Sequence, residues 1–194
     1  MHHEEKLAEL IRSDCPVEWA HENLIHIDSG TAAAIFEHPS DPLLVVRLSD
    51  YPDGWFKFAD DTMRQEQEDG TASRFRPAVH WIGDVAGVFV GVSERLEQIE
   101  EESPLAEVVE AAIRALCGSG EDWEFVERIV PGFREFCSGL DARLDLRASN
   151  FLRRGDTLVF NDPYSAIPHA LEPGLRDFYR VSVPSPFSSL LPAP

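Results

Sequence analysis

Positive charge is scarce in this chain: 194 residues carry 17 Lys and Arg against 35 Asp and Glu, a net charge of −18. Nucleic-acid binding needs Lys and Arg to displace the counterions of the phosphates, so the composition speaks against that class. A mimic of nucleic acid would rest on charge alone; a protein partner with a basic surface suits the same composition, and negative charge also serves solubility. Cysteine is scarce too. Cys15, Cys117 and Cys137 are odd in number and far apart, which excludes a disulfide framework and a zinc site and implies a reducing interior. The longest apolar run, Val85 to Val92, is far too short to span a bilayer. The first ten residues, MHHEEKLAEL, lack the charged-then-apolar layout of a signal peptide. A soluble cytoplasmic protein without a membrane role is expected. No internal repeat occurs, and the patterns GxxxxGK[ST], HExxH and CxxC and the serine-hydrolase elbow are all missing.

What is present supports a folded domain: 43% hydrophobic and 10% aromatic residues are enough to bury a core. Leu7, Leu10 and Ile11 share one face of an N-terminal helix over residues 4–13, broken by Asp14-Cys15-Pro16. Three strand-like runs follow between Leu24 and Leu48: LIHID, SGTAAAIFEH and LLVVRLS, the last two separated by the turn cluster Pro39-Ser40-Asp41-Pro42. Residues 55–69 read as a helix closed by Gly70. Two more strands, AVHWIGDVAG and VFVGVSERLE, meet at Gly87, and an acidic run from Glu94 to Glu102 reads as a solvated linker or helix start. Ser103 and Pro104 then supply an N-cap and a first helical residue for a helix ending near Gly118. Residues 121–138 carry a broad apolar face, with a kink expected at Pro131.

The chain is organised around residues 141–165, DARLDLRASNFLRRGDTLVFNDPYS. Two apolar runs flank Gly155-Asp156, a hairpin signal, and the hairpin would bring Asn150 near Asp162. An amide and an acid in that position supply hard oxygen donors for Mg2+. Asp145, five residues before Asn150, could take a proton from an attacking hydroxyl.

These residues resemble the catalytic core of the protein-kinase-like fold, and most of all the short early serine/threonine protein kinases of podovirus-type bacteriophages. Asp145 and Asn150 match the ends of the HRDxxxxN pattern, and Asp162-Pro163-Tyr164 stands where the family has DFG. The resemblance implies an α+β, two-lobed fold: a β-rich small lobe with an N-terminal helix over residues 1–96, and a minimal, truncated helical large lobe over 97–194. It implies ATP and Mg2+ as cofactors, with Asp145 as base, Asn150 and Asp162 as metal ligands, and Arg147 in the place of a lysine that steadies the transferring phosphate. Gly30 and Thr31 would form a reduced glycine loop over the phosphates. Arg47 departs from the family, which has lysine on the third strand; guanidinium binds phosphate but with a different reach and plane. Its helix partner would be Glu66, with Glu68 second. Glu94 and Leu96 fall at the hinge that holds adenine. After Asp162 the sequence is rich in proline, with one short helix expected at Leu171 to Tyr179. The Ala-Pro-Glu segment of the full large lobe is missing, so the peptide-binding platform is expected to be missing or supplied by a partner. Leu144 in place of the usual arginine argues against control by activation-loop phosphorylation.

Two functions follow. One is a phosphotransferase with MgATP between the lobes and serine or threonine on a host protein as acceptor. The other is a catalytically weak or inactive kinase-like protein that modulates a partner through its acidic surface. Arg47, the thin glycine loop and the short large lobe favour the second; Asp145, Asn150 and Asp162 together favour the first. Oligomeric state is left open by the sequence.

Overall fold

A computed structural model describes residues 2–30, 33–71, 73–118, 120–140 and 144–164. The chain divides into two compact units. Among the described residues, the first holds those up to Met63 together with Ala78–Arg95; the second holds Arg64–Pro77 with the chain from Leu96 to Tyr164. No helix among the described residues is long and apolar enough to cross a membrane. The short helix expected at Leu171 to Tyr179 and the proline-rich tail lie outside the described residues.

The first unit is built on five antiparallel strands, β1 (His26–Ser29), β2 (Ala33–Glu37), β3 (Leu44–Ser49), β4 (Val79–Val85) and β5 (Val88–Glu94), in the order β1-β2-β3-β5-β4. Alternation along β3 and β5 sends Val46, Leu48, Val90 and Val92 to one face. There they meet Leu7, Leu10 and Ile11 of α1 (His2–Arg12). Phe89 goes to the other face, with Val79 and Ile82, against Trp55, Phe56 and Ala59 of α3 (Gly54–Asp69). The sheet is thus covered on both sides, which accounts for the nearly continuous apolar run of β3. A helix that the residue pattern did not suggest, α2 (Pro16–Asn23), follows α1 directly. Pro16, read above as a breaker, occupies its first position, where a missing N–H costs nothing.

The second unit joins α4 (Pro104–Leu116), α5 (Asp122–Ile129) and α6 (Phe133–Ser138) to a three-stranded sheet, β6 (Glu97–Gln98), β7 (Phe151–Arg154) and β8 (Thr157–Phe160). Ser103 caps α4 as expected, its Oγ accepting the Ala106 N–H at 3.3 Å. The acidic run is not a featureless linker: Glu97 and Gln98 pair with Arg153 and Leu152 of β7. The helix expected over 121–138 is broken, not kinked. It stops at Ile129, passes Pro131, and restarts after Gly132, whose φ of +84° is a conformation glycine adopts without steric cost. The expected hairpin is present, with Arg154 opposite Thr157 and Gly155 at φ +56° in the turn.

Phe151 and Phe160 face each other across that hairpin with ring centroids 4.1 Å apart. They join Val108, Ala112, Val126 and Phe133 in the core. The segment Arg64–Pro77 belongs with this unit for a visible reason. The Phe75 carbonyl accepts the Phe160 N–H at 2.9 Å, Phe75 enters the same core, and Arg154 donates to the carbonyls of Arg74 and Arg76. Cys137 is also buried here; burial, with Glu127 adding to it, pushes its thiol up to about 12, so it is an inert core residue. The fold class is α+β, with the strand-rich region first and the helices after it, in the order the resemblance implies.

Candidate functional site

The residues Asp145, Arg147, Asn150 and Asp162 all lie in the second unit, on one hydrogen-bonded loop at the end of the β7–β8 hairpin. Local geometry explains how. Residues Ala148–Asn150 form a single 3-10 turn, closed by the Asn150 N–H on the Arg147 carbonyl at 3.0 Å. The chain then enters β7, and β8 brings it back. The Asn150 carbonyl accepts the Asn161 N–H at 2.8 Å, and the Asp162 N–H points at the same oxygen at 3.4 Å. Past the turn the chain runs alongside its own start: the Asp145 N–H donates to the Pro163 carbonyl at 2.8 Å, and Leu144 bridges to Tyr164. Tyr164 is 4% exposed and anchors the return.

The asparagine side chain ties the loop together. Its Nδ2 donates to the Asp145 carbonyl at 3.0 Å. That bond fixes the amide plane and leaves Oδ1, the acceptor end, without a hydrogen bond among the described residues. Asp145 sets one carboxylate oxygen 3.3 Å from the Arg147 Nε, with Asp145 about one third exposed and Arg147 70% exposed. The loop therefore offers an amide oxygen, two carboxylates and a solvent-facing guanidinium within one turn and one hairpin.

Do these donors fit a magnesium ion? Among the described residues no group of three or more His, Cys, Asp or Glu is arranged to hold a metal. Magnesium does not require one: it keeps several waters and takes one or two protein oxygens together with substrate phosphates. The unengaged Asn150 amide oxygen and the Asp162 carboxylate match that reduced donor set.

The other expected positions lie mainly in the first unit. Gly30 follows β1 and donates its N–H to the Ala33 carbonyl at 2.9 Å. Its backbone is one that any residue could adopt, and a Cβ there would meet nothing closer than 3.9 Å; Thr31 lies outside the described residues. Glu94 ends β5. Its carboxylate accepts the Ala78 N–H at 2.7 Å while its own N–H donates to the Ala78 carbonyl, so its side chain clamps β4 to β5. Leu96, half-buried, opens the longer of the two segments that make up the second unit. Glu66 and Glu68 of α3 are exposed and make no ion pair among the described residues.

Arg47 sits in the middle of β3, on the face that packs against α3. Within the first unit its Nη2 lies 2.5 Å from Asp53 Oδ2, in a pair whose side chains are only 12% and 4% exposed. Its guanidinium also lies over the Trp55 ring, 5.1 Å from the centroid. Residue-pattern reading missed Asp53, because the helix was started at residue 55. The signal was there in Asp53-Gly54-Trp55-Phe56, where an Asp stands three residues before an amide it can cap; its Oδ1 accepts the Phe56 N–H at 3.1 Å.

No protein-family model and no curated protein sequence matches this chain. Solved structures do. The kinase domain of PknI from Mycobacterium tuberculosis aligns with 15% identity over 71% of this chain and 55% of that chain, at a TM-score of 0.37. A thermostable mutant of the aminoglycoside phosphotransferase APH(4)-Ia, in its apo form, aligns with 16% identity over 49% of this chain and 32% of that chain, at a TM-score of 0.30. The chain spans less than two thirds of either protein.

Proposed function

We propose that this chain is an ATP-dependent phosphotransferase whose chemistry is carried by the loop from Asp145 to Asp162. The observation that supports it is the closed hydrogen-bond circuit of that loop. Asn150 holds the Asp145 carbonyl with its side chain and residues 161 and 162 with its carbonyl, so all three oxygen-bearing side chains issue from one hydrogen-bonded loop. An ordinary surface turn has no need of such a circuit.

In this reading Asp145 accepts the proton of the attacking hydroxyl, since a carboxylate one third exposed can be reached by a substrate. Arg147, beside it, balances charge on the phosphoryl group in flight. Asn150 Oδ1 and the Asp162 carboxylate would hold Mg2+, which would offset the charge developing on the phosphate oxygens. Positioning and electrostatics of this kind do most of the work in phosphoryl transfer. The acceptor we assign is a serine or threonine hydroxyl on a host protein. The net charge of −18 favours a partner with a basic surface.

The test is thermal unfolding with ATP, with and without magnesium. A ligand that binds only the folded chain raises the melting temperature, by the equivalent of about 2.7 kcal/mol at a hundred times its dissociation constant. Wild type should show a magnesium-dependent rise. Asp162→Ala should lose it, and Asp145→Asn should keep it while losing transfer to a hydroxyl acceptor. Absence of any rise in wild type at millimolar ATP would sink the phosphotransferase and leave a kinase-like binding protein.

A further inference from the structure

Past the short strand β6 the chain turns into α4, and at that corner the second unit holds a cavity of about 300 Å3. It lies between the start of α4 and the tip of the β7–β8 hairpin. Pro104 and Leu105 supply apolar wall, and Glu100 and Asp156 supply acid. Pockets that enclose a small molecule run from roughly 300 to 1,000 Å3, so this one suits a single side chain better than a cofactor.

The acids are held in place. The Glu100 carbonyl accepts the Ser103 N–H at 3.0 Å and the Ser103 hydroxyl at 2.7 Å, and the same hydroxyl oxygen caps α4. Asp156 follows Gly155 in the hairpin turn that Arg154 and Thr157 close. The backbone on both sides of the cavity is thus hydrogen-bonded in the free chain, and a ligand does not have to order it. Arg153 is the cation lining the cavity, and it is already engaged: its Nη2 lies 2.6 Å from Glu97 Oε2, and its Nε donates to the Gln98 carbonyl at 3.4 Å. Glu100, Glu101, Glu102 and Asp156 make no ion pair among the described residues. An apolar wall beside unneutralised acids fits a side chain that is apolar along its stem and positive at its end, as lysine and arginine are. A second copy of this chain would bring its own net charge of −18, whereas a basic segment is attracted.

We propose that this cavity is a docking site for a lysine or arginine side chain of a partner protein, with the stem against Pro104 and Leu105 and the cation between Glu100 and Asp156. The proposal deepens the phosphotransferase reading and rests on it only for the existence of a polypeptide partner. The hairpin sets the two sites apart. Gly155 and Asp156 are at its tip and Asn150 and Asp162 at its base, about 13 Å away along the four residues of β7. A substrate held at the tip keeps its hydroxyl-bearing residues free for the loop.

The experiment is fluorescence anisotropy of the full chain with a dye-labelled peptide of alternating alanine and arginine, and with its counterpart in which citrulline, neutral and of the same shape, replaces arginine. One variant combines Glu100→Gln with Asp156→Asn. Another combines Glu66→Gln with Glu68→Gln on α3, an equal change of charge elsewhere. Wild type should bind the arginine peptide at least about tenfold more tightly than the citrulline peptide. The cavity variant should lose at least about tenfold in affinity for the arginine peptide, while the α3 variant stays within about twofold of wild type. Similar losses in both variants mean attraction by net charge alone and overturn the proposal, as does a wild type that binds the two peptides alike or binds neither. A wild-type dimer in sedimentation that the cavity variant loses gives the cavity to a second copy and overturns it as well. No nucleotide enters these measurements, so the magnesium-dependent rise in melting temperature with ATP judges the phosphotransferase reading separately.

Discussion

The two units each contain an arginine paired with an aspartate, and the pairs differ in almost everything but chemistry. Arg47 and Asp53 are 2.5 Å apart with side chains 12% and 4% exposed, whereas Arg147 and Asp145 are 3.3 Å apart at 70% and 31%. In the first pair the carboxylate also caps a helix and the guanidinium also covers an indole. In the second, both groups face solvent on a loop. Low dielectric strengthens attraction within a pair but makes either member alone very costly; water weakens the attraction and makes exchange of partners cheap. The buried pair is thus suited to fix a geometry. The exposed pair is suited to be opened by a substrate.

The sharpest way to break this contrast is to remove one member of the buried pair. Arg47→Ala leaves Asp53 without this partner in a site it hardly shares with water, and should lower the unfolding free energy by about 3–5 kcal/mol. That is a large part of the 5–15 kcal/mol typical of a whole domain. Urea unfolding followed by circular dichroism measures it. The double change Arg47→Met with Asp53→Leu should restore much of the loss, because an apolar pair of similar size does not need the ion pair. A loss below about 1 kcal/mol in Arg47→Ala would place the buried pair in the class of surface pairs and erase the comparison.

The two pairs were not equally legible in the sequence. Asp145, Arg147, Asn150 and Asp162 are local: one 3-10 turn and a short hairpin, both marked by their own residues, bring them onto a single loop. Gly155-Asp156 between apolar runs was enough to place that hairpin. The seat of Arg47 depends on sheet register, since Gly91, whose missing side chain admits the Trp55 ring, faces it only through the pairing of β3 with β5. No periodicity in a single strand reveals that. Proline misled twice in opposite senses: Pro16 starts a helix where a break was read, and Pro131 with Gly132 ends one where a kink was read. The acidic run hid β6 because a two-residue strand has no alternation to show; its pairing to β7 is a tertiary fact. The grouping of Arg64–Pro77 with the second unit was equally invisible, being made by Phe75 in a distant core and by Arg154 on two carbonyls.

A third site asks whether burial alone sets the rule. His38, 8% exposed, follows β2 and uses Nδ1 to accept the N–H groups of Ser40 and Asp41 at 3.3 and 3.2 Å. Nε2, which must then carry the proton, is buried without a hydrogen-bond partner among the described residues. A second proton would have to enter at Nδ1, against two donors. Burial lowers the pKa of His38 from its ordinary 6.5, His80 adds to the lowering, and Asp41 opposes it. The unfolded chain therefore takes up this proton at higher pH than the folded one. The stability that His38 contributes is complete above pH 6.5 and is lost as pH falls below that value toward the folded pKa. Unfolding free energies measured between pH 7.5 and 5 should fall more steeply in wild type than in His38→Gln. Parallel slopes would mean that the turn tolerates a charged imidazole, and that burial there has little force.

The exposed pair should give the smallest effect on stability. Arg147→Ala removes one member of a contact already shared with water, so the unfolding free energy should change by less than about 1 kcal/mol. What little it loses should shrink further in salt, since charges on the surface are screened over about 8 Å at physiological ionic strength. Under the proposed phosphotransferase reading, phosphoryl transfer should fall in the same variant while the melting temperature holds, because there the guanidinium would act on the reacting group and not on the fold. A stability loss approaching that of Arg47→Ala would show that the loop needs Arg147 on Asp145 to keep its shape. The carboxylate would then be a structural ligand, and its assignment as base would fail with the contrast that supports it.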